Sequence, residues 1–202
     1  QWLAVIALWF LWLSILNAAP NFFYFPWDLM LLETLLLTIF APSLSLFPDA
    51  TTAEPFSPIL SLAFAMLLFR VMLGMGLSKF KDRDSRTRDG TYIYHFLSWQ
   101  PMATGFACWV RTFPMTVHRI SLHALMMIEC VLPFFLFGPS LLRVLAIAGF
   151  IGLQVFIMAC GNYGIFNVLT ALLSIVCLSF EPASLSIESL NHTTDWLLIV
   201  HC

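Results

Sequence analysis

Charged side chains are scarce in this chain of 202 residues. Only 10% of the residues are Asp, Glu, Lys or Arg, whereas soluble domains carry about one quarter. Hydrophobic residues make up 60% of the chain, and its mean hydropathy is +0.91. This composition excludes an ordinary soluble domain and indicates an integral membrane protein.

The sequence also lacks the common catalytic and ligand-binding motifs. It contains no glycine-rich phosphate loop, no HExxH, no GxSxG and no basic patch typical of nucleic-acid binding. Its five cysteines include no CxxC pair and no spacing typical of zinc or haem attachment, so we expect most of them to be small buried apolar side chains. We therefore predict no catalytic residue, no metal site, no cofactor and no nucleic-acid partner.

Long apolar runs dominate the sequence instead. Six of them approach the roughly 20 residues that a helix needs to cross a bilayer. We place these spans at 1–17, 27–47, 56–77, 120–138, 141–160 and 164–180. A β-barrel would show alternating strands of about ten residues, so the sequence predicts an all-α, polytopic transmembrane helix bundle of about six spans over residues 1–180.

Both ends of the sequence suggest a longer parent. Gln1 is not an initiator residue, and residues 181–202 form a polar tail that ends in the start of a further apolar segment, "DWLLIV". We therefore expect a fragment or a processed product. The tail holds the only glycosylation sequon, at Asn191.

One long connection, 78–119, separates the third and fourth spans. Its first half, "SKFKDRDSRTRDG", is hydrophilic and mixed in charge, whereas its second half is aromatic and weakly polar. We predict that 91–116 lies on or re-enters the membrane surface, with a short amphipathic helix around 105–112.

We select five candidates from the charged and amide side chains inside the predicted spans, where such groups are costly and usually face a cavity or a partner. They are Glu33, Arg70, Glu129, Gln154 and Asn167. Counted from the face that holds the 78–119 connection, all five lie roughly 5–14 Å deep at 1.5 Å per residue. We predict a polar pocket that opens on this face, with an ion pair of Arg70 with Glu33 or Glu129 at its core. Taken singly, Arg70 could instead reach the headgroups and Glu33 could be protonated.

Glycines mark two further positions. Gly74 and Ser78 have a small-xxx-small spacing that allows close helix packing near Arg70. The "GNYG" sequence at 161–164 predicts a tight reversal between the last two spans, on the same face as the pocket. This turn is either a pocket rim or an ordinary helical-hairpin turn.

Several motifs, in order, resemble the lipase maturation factor family. They are "LLLETLLLTIFAP", "FRVMLGMGLSKF", "WQP", "CWVRTFP", "IECVLPF" and "GNYGIFNVLT", and they cover roughly residues 27–173. Besides the five pocket candidates, the resemblance carries the family's motif positions onto Gly74, Gly76, Lys79, Gln100, Pro101, Trp109, Pro114, His118, Arg119, Pro133, Gly161, Asn162 and Tyr163. It implies no established catalytic residue.

The resemblance implies a polytopic protein of the endoplasmic reticulum membrane that assists the folding and assembly of secreted dimeric lipases. Its partners would be membrane lipids and a protein client. The sequence departs from the family pattern at Ser98 and Trp99, where an acidic residue and threonine are common. The long soluble C-terminal region that the resemblance implies is not among these 202 residues.

Two other functions stay open from the sequence. The first is a membrane enzyme that resembles the membrane half of vitamin K-dependent carboxylase and holds a lipid or quinone-like substrate in the pocket. The second is a structural subunit of a larger membrane complex. We favour the maturation role over an enzyme.

The sidedness of the 78–119 connection also stays open. Its Lys and Arg residues favour the cytoplasm by the positive-inside rule, which would leave Asn191 in the lumen. The family resemblance instead implies lumenal clients and a pocket that faces the lumen.

Overall fold

The computed structural model describes residues 2–19, 26–41, 57–81, 85–100, 102–161, 163 and 165–180, and every regular element within them is helical. The predicted all-α fold is therefore confirmed. Within these residues, three helices are long and apolar enough to cross a membrane, Pro58–Phe80, Met115–Phe135 and Ser140–Cys160. Two shorter apolar helices lie at Leu3–Ala18 and Ile165–Val176.

The chain divides into two compact units, residues 1–67 with 179–202 and residues 68–178. The helices are α1 (Trp2–Ala18), α2 (Pro26–Thr38), α3 (Pro58–Lys81), α4 (Ser85–Arg88), α5 (Tyr92–Ser98), α6 (Gly105–Arg111), α7 (Met115–Met126), the π-helical segment Met127–Val131, α8 (Leu132–Phe135), α9 (Ser140–Cys160) and α10 (Ile165–Val176). A 3-10 turn at Cys177–Ser179 follows α10.

A helix lies at each of the six predicted span positions, but several bounds differ. α2 has 13 residues and ends at Thr38, and residues 42–47 of that predicted span lie outside the described part. α3 continues to Lys81, whereas the predicted span ends at residue 77.

In the first unit, α1 packs against α2. The indole Nε1 of Trp9 donates a hydrogen bond to the backbone oxygen of Leu32 over 3.1 Å. Leu16 and Met30 are both buried. Because a buried indole N–H needs an acceptor, the Trp9 bond fixes the register between the two helices.

In the second unit, the segment predicted as a long connection is largely folded into helices. α6 lies at the predicted position, 105–111. α5 packs on α6 and α7, and α6 packs on α9. These helices share a buried core made of Ile93, Leu97, Ala107, Val110, Leu122 and Cys160. The aromatic residues around it gain burial by packing on this core, which explains why the segment is not an extended linker.

Thr104 joins the start of α6 to the end of α9. Its backbone N–H donates to Cys160 O over 3.1 Å, and its hydroxyl donates to Ala159 O over 2.6 Å. The same hydroxyl oxygen accepts the N–H of Ala107 over 3.2 Å. The last carbonyls of a helix have no partner within the helix. Thr104 therefore provides hydrogen-bond donors for two carbonyls at the end of α9, and its hydroxyl oxygen also caps α6.

The π-helical segment has a cause in the sequence. Pro133 has no N–H to donate to the carbonyl four residues earlier, which is that of Glu129, and its ring clashes with that carbonyl in an α-helix. The chain widens instead, and the N–H of Leu132 bonds to Met127 O, five residues back. This wider turn places Glu129 against α3.

We predict that Thr104→Val destabilises the protein by about 1–2 kcal/mol, because it deletes the cap of α6 and leaves the Ala159 carbonyl without its partner. The measurement is thermal unfolding of the purified protein in detergent. Thr112→Val is the matched control, since the Thr112 hydroxyl donates only to Trp109 O of its own helix. Equal losses in the two variants would show that Thr104 does not join α6 to α9.

Candidate functional site

Lys79 and Glu129 form a buried ion pair between α3 and the π-helical segment. Nζ of Lys79 lies 2.5 Å from Oε2 of Glu129, and the two side chains are only 11% and 3% exposed. Lys79 also donates to Met75 O over 3.1 Å. A buried charge without a partner is costly, so each of these two groups depends on the other.

The sequence predicted an ion pair of Arg70 with Glu33 or Glu129, and the structure places Lys79 against Glu129. Arg70 precedes Lys79 by nine residues, which is about 900° of helix rotation, so the two side chains leave opposite sides of α3. Arg70 is exposed. Arg70 therefore does not share the face of α3 that carries Lys79.

Gly76 allows the close approach that the ion pair needs. A Cβ at residue 76 would lie 2.5 Å from Sγ of Cys130, 3.0 Å from Cβ of Glu129 and 3.2 Å from the Glu129 carbonyl carbon. Gly74 differs, because a Cβ there would meet nothing within 4 Å. Gly76 and Lys79 are three residues apart and share the face towards Glu129, whereas Gly74 shares the exposed face of Arg70.

Stacked aromatic rings run from the ion pair towards the end of α9. Nζ of Lys79 lies 5.7 Å from the ring centre of Tyr92. The Tyr92 ring stacks on Phe96, and Phe96 stacks on Tyr163, both with centroids 6.2 Å apart. α5 thus contacts both the Lys79 ammonium and the turn after α9.

The turn after α9 is packed closely against Gln100. A Cβ at Gly161 would lie 2.5 Å from Oε1 of Gln100, so only glycine fits here without a shift. Burial raises the pKa of the Tyr163 phenol above its ordinary value. The phenol is therefore protonated at neutral pH. Pro101 and Asn162, both predicted motif residues, lie outside the described residues.

Two predicted pocket residues are fully buried in the second unit. Gln154 on α9 and Asn167 on α10 are each 0% exposed, and α9 packs directly on α10. Neither amide has a hydrogen-bond partner among the residues that the structure describes. Asn167 begins a buried polar stripe on α10 that continues with Thr170 and Ser174. An amide has donors and an acceptor to satisfy, so these two positions can hold water or another polar group.

The remaining predicted residues are dispersed. Glu33 is partly buried on α2 in the first unit, Trp109 is 56% exposed, and His118 is buried with its ring 5.8 Å from that of Tyr94. The side chain of Arg119 packs on Gly90, whose φ of +72° favours glycine. Asn191 and the 181–202 tail lie outside the described residues.

Sequence reasoning missed several residues that hold the site together. Thr104 was not singled out, and Tyr92 and Phe96 entered only as part of the aromatic second half of the 78–119 connection. Pro133, four residues after Glu129, was the available signal for the widened turn. The three-residue spacing of Gly76 and Lys79 was the signal for the correct face of α3.

The family model and the related proteins that match this chain all belong to one family. A family model described as "Lipase maturation factor transmembrane domain" matches residues 1–184. Lipase maturation factor 1 of Mus musculus is 33% identical over 179 residues, which are 89% of this chain and 31% of that protein. The Homo sapiens protein of the same name is 34% identical over 185 residues, 91% of this chain and 32% of that protein. Lipase maturation factor 2 of Rattus norvegicus is 30% identical over 204 residues, 95% of this chain and 29% of that protein.

No solved structure matches the chain significantly. The chain spans about a third of the length of the curated relatives it matches. The family match covers α1 to α10 and includes the Lys79–Glu129 ion pair, Gly76 and the turn at Gly161. This chain is an integral membrane protein that belongs to the lipase maturation factor family.

Proposed function

We propose that this chain is the membrane-embedded part of a factor that assists the folding and assembly of secreted lipases in the endoplasmic reticulum membrane. The observation that carries this proposal is the match of residues 1–184 to the family's transmembrane domain. The relatives named lipase maturation factor 1 and 2 support the same client class. The partners would be a secreted lipase and the surrounding lipid.

The geometry supports a scaffold role. The Lys79–Glu129 ion pair fixes α3 against the π-helical segment, and Thr104 fixes α6 against α9. The stacked rings of Tyr92 and Phe96 hold α5 in place between these two contacts. We propose that this frame keeps the α5–α6 segment and the turn at 161–164 in the arrangement that client maturation requires.

A polar interior is the second part of the proposal. Gln154 and Asn167 are fully buried and have no hydrogen-bond partner in the described part of the chain, and an unsatisfied buried amide costs about 1–3 kcal/mol. We propose that both amides bind ordered water or a polar ligand between α9 and α10. This proposed polar interior uses two of the five residues predicted for the polar pocket.

The two glycines of α3 give a matched test of the scaffold. We predict that Gly76→Ala destabilises the protein by about 1–3 kcal/mol, because the new methyl group meets Glu129 and Cys130. Gly74→Ala should be neutral or stabilising by up to about 1 kcal/mol, because alanine favours helix and the space is open. The measurements are thermal unfolding and the secretion of active lipase per unit of inserted full-length protein, in cells that lack the native factor.

We expect Gly76→Ala to lower both the unfolding temperature and the secretion of active lipase. Gly74→Ala should lower neither. Loss of stability in Gly76→Ala with normal lipase secretion would contradict the functional role of the α3 contact. Equal behaviour of the two variants would contradict the contact itself.

Replacing the two buried amides by apolar side chains tests the polar interior, because the sign of the change in stability depends on whether the amides have partners. If Gln154 and Asn167 bind water or a ligand, Gln154→Met and Asn167→Leu should each destabilise the protein by about 1–3 kcal/mol. If the amides have no partner, the same substitutions remove a buried polar group and should stabilise it. Leu153→Met, at a buried neighbouring position, is the volume-matched control and should cost less than about 1.5 kcal/mol. Higher unfolding temperatures of both amide variants would contradict the proposed polar interior.

A further inference from the structure

α6 presents three chemically different faces. Ala107 and Val110 are buried in the core of the second unit. Phe106 and Trp109 lie on a second face and are 40% and 56% exposed. The third face carries Cys108 and Arg111, and Thr112 extends it at the end of the helix. A short helix with an exposed aromatic face and an exposed polar face suits the boundary between lipid and water.

The aromatic face of α6 continues onto the outer surface of α9. The rings of Phe106 and Trp109 are 5.8 Å apart, and Phe106 contacts Phe156 of α9 edge-on at 6.2 Å. Beside Phe156, Val155 and Met158 are 58% and 46% exposed on a helix apolar enough to cross a membrane. Exposed apolar side chains on such a helix face lipid, so the aromatic face of α6 lies against lipid near the end of α9.

Arg111 lines a cleft on the polar face of α6. The cleft has a volume of about 310 Å³ and is lined by Tyr94, Cys108, Arg111 and Thr112. Nη2 of Arg111 donates to the Tyr94 hydroxyl over 3.1 Å, and its guanidinium carbon lies 4.9 Å from the centre of the Tyr94 ring. Tyr94 orients the guanidinium while most of its five N–H donors stay available.

The surrounding segment is positively charged. Residues 85–119 contain four arginines, at 86, 88, 111 and 119, and one acidic residue, Asp89. Arg86 stacks on the exposed ring of Trp99, with 4.1 Å from its guanidinium carbon to the ring centre. Basic side chains beside interfacial tryptophans attract anionic lipid.

We propose that the cleft between Tyr94 and Arg111 binds the phosphate group of an anionic phospholipid. The aromatic face of α6 places this helix at the level of the headgroups, and the adjacent face then holds the Arg111 guanidinium at the depth where lipid phosphates lie. Arginine binds phosphate through two parallel hydrogen bonds, and the Tyr94 hydroxyl, which accepts from Arg111, can donate its own proton at the rim. This inference does not depend on the lipase function.

The test uses the purified full chain in nanodiscs of phosphatidylcholine, alone or mixed with phosphatidylglycerol. Native mass spectrometry counts the phosphatidylglycerol molecules that the protein retains, and thermal unfolding in phosphatidylcholine alone checks that each variant is folded. We expect Arg111→Gln to weaken retention about tenfold, because it deletes charge-assisted hydrogen bonds to the phosphate. Tyr94→Phe should weaken it less.

Arg88→Gln is the matched control, since it removes the same charge from the same segment but does not line the cleft. It should retain phosphatidylglycerol like the unaltered protein. Equal retention by Arg111→Gln, or an equal loss in Arg88→Gln, would overturn the site in favour of a diffuse basic surface. Displacement of the lipid by inorganic phosphate at equal concentration would also overturn it, because the cleft would then be a site for free phosphate.

Discussion

The ion pair between Lys79 and Glu129 determines how α3 lies against the π-helical segment. A lysine and a glutamate at low exposure stabilise a membrane protein only as a pair, because either charge alone would be buried without compensation. Their contact requires the two backbones to come close, and Gly76 provides the room. It also requires Glu129 to lie in a widened turn, which follows from Pro133. Three separate sequence features thus converge on one contact.

Other parts of the second unit depend on this contact through packing. Tyr92 lies beside the Lys79 ammonium, and the ring stack of Tyr92, Phe96 and Tyr163 extends from it to the turn after α9. At the start of α6, Thr104 donates hydrogen bonds to the last carbonyls of α9. The α5–α6 segment is therefore held at both ends. In the proposed maturation role, this segment would present a defined surface, and the proposed lipid phosphate at Arg111 would fix the depth of that surface in the bilayer.

The helices could be located from the sequence because a chain in lipid must bury its backbone polar groups in long apolar helices. The site could be predicted only in part. Counting residues along the helices ignored rotation about the helix axis, which places Lys79 and not Arg70 towards Glu129. Lys79 entered the predicted site only through the family resemblance. Thr104 carried no signal, since a threonine in an aromatic connection is not recognisable as a cap until α9 is seen beside it.

The central claim is that Lys79 and Glu129 stabilise the protein as a pair, and a double-mutant cycle tests it most directly. Unfolding free energies would be measured in detergent for Lys79→Met, Glu129→Met and the double variant. Each single substitution should cost about 3–5 kcal/mol, whereas the double variant should lose much less, because no uncompensated charge remains. Additive losses, within about 0.5 kcal/mol, would show that the two residues are not coupled and would contradict the account.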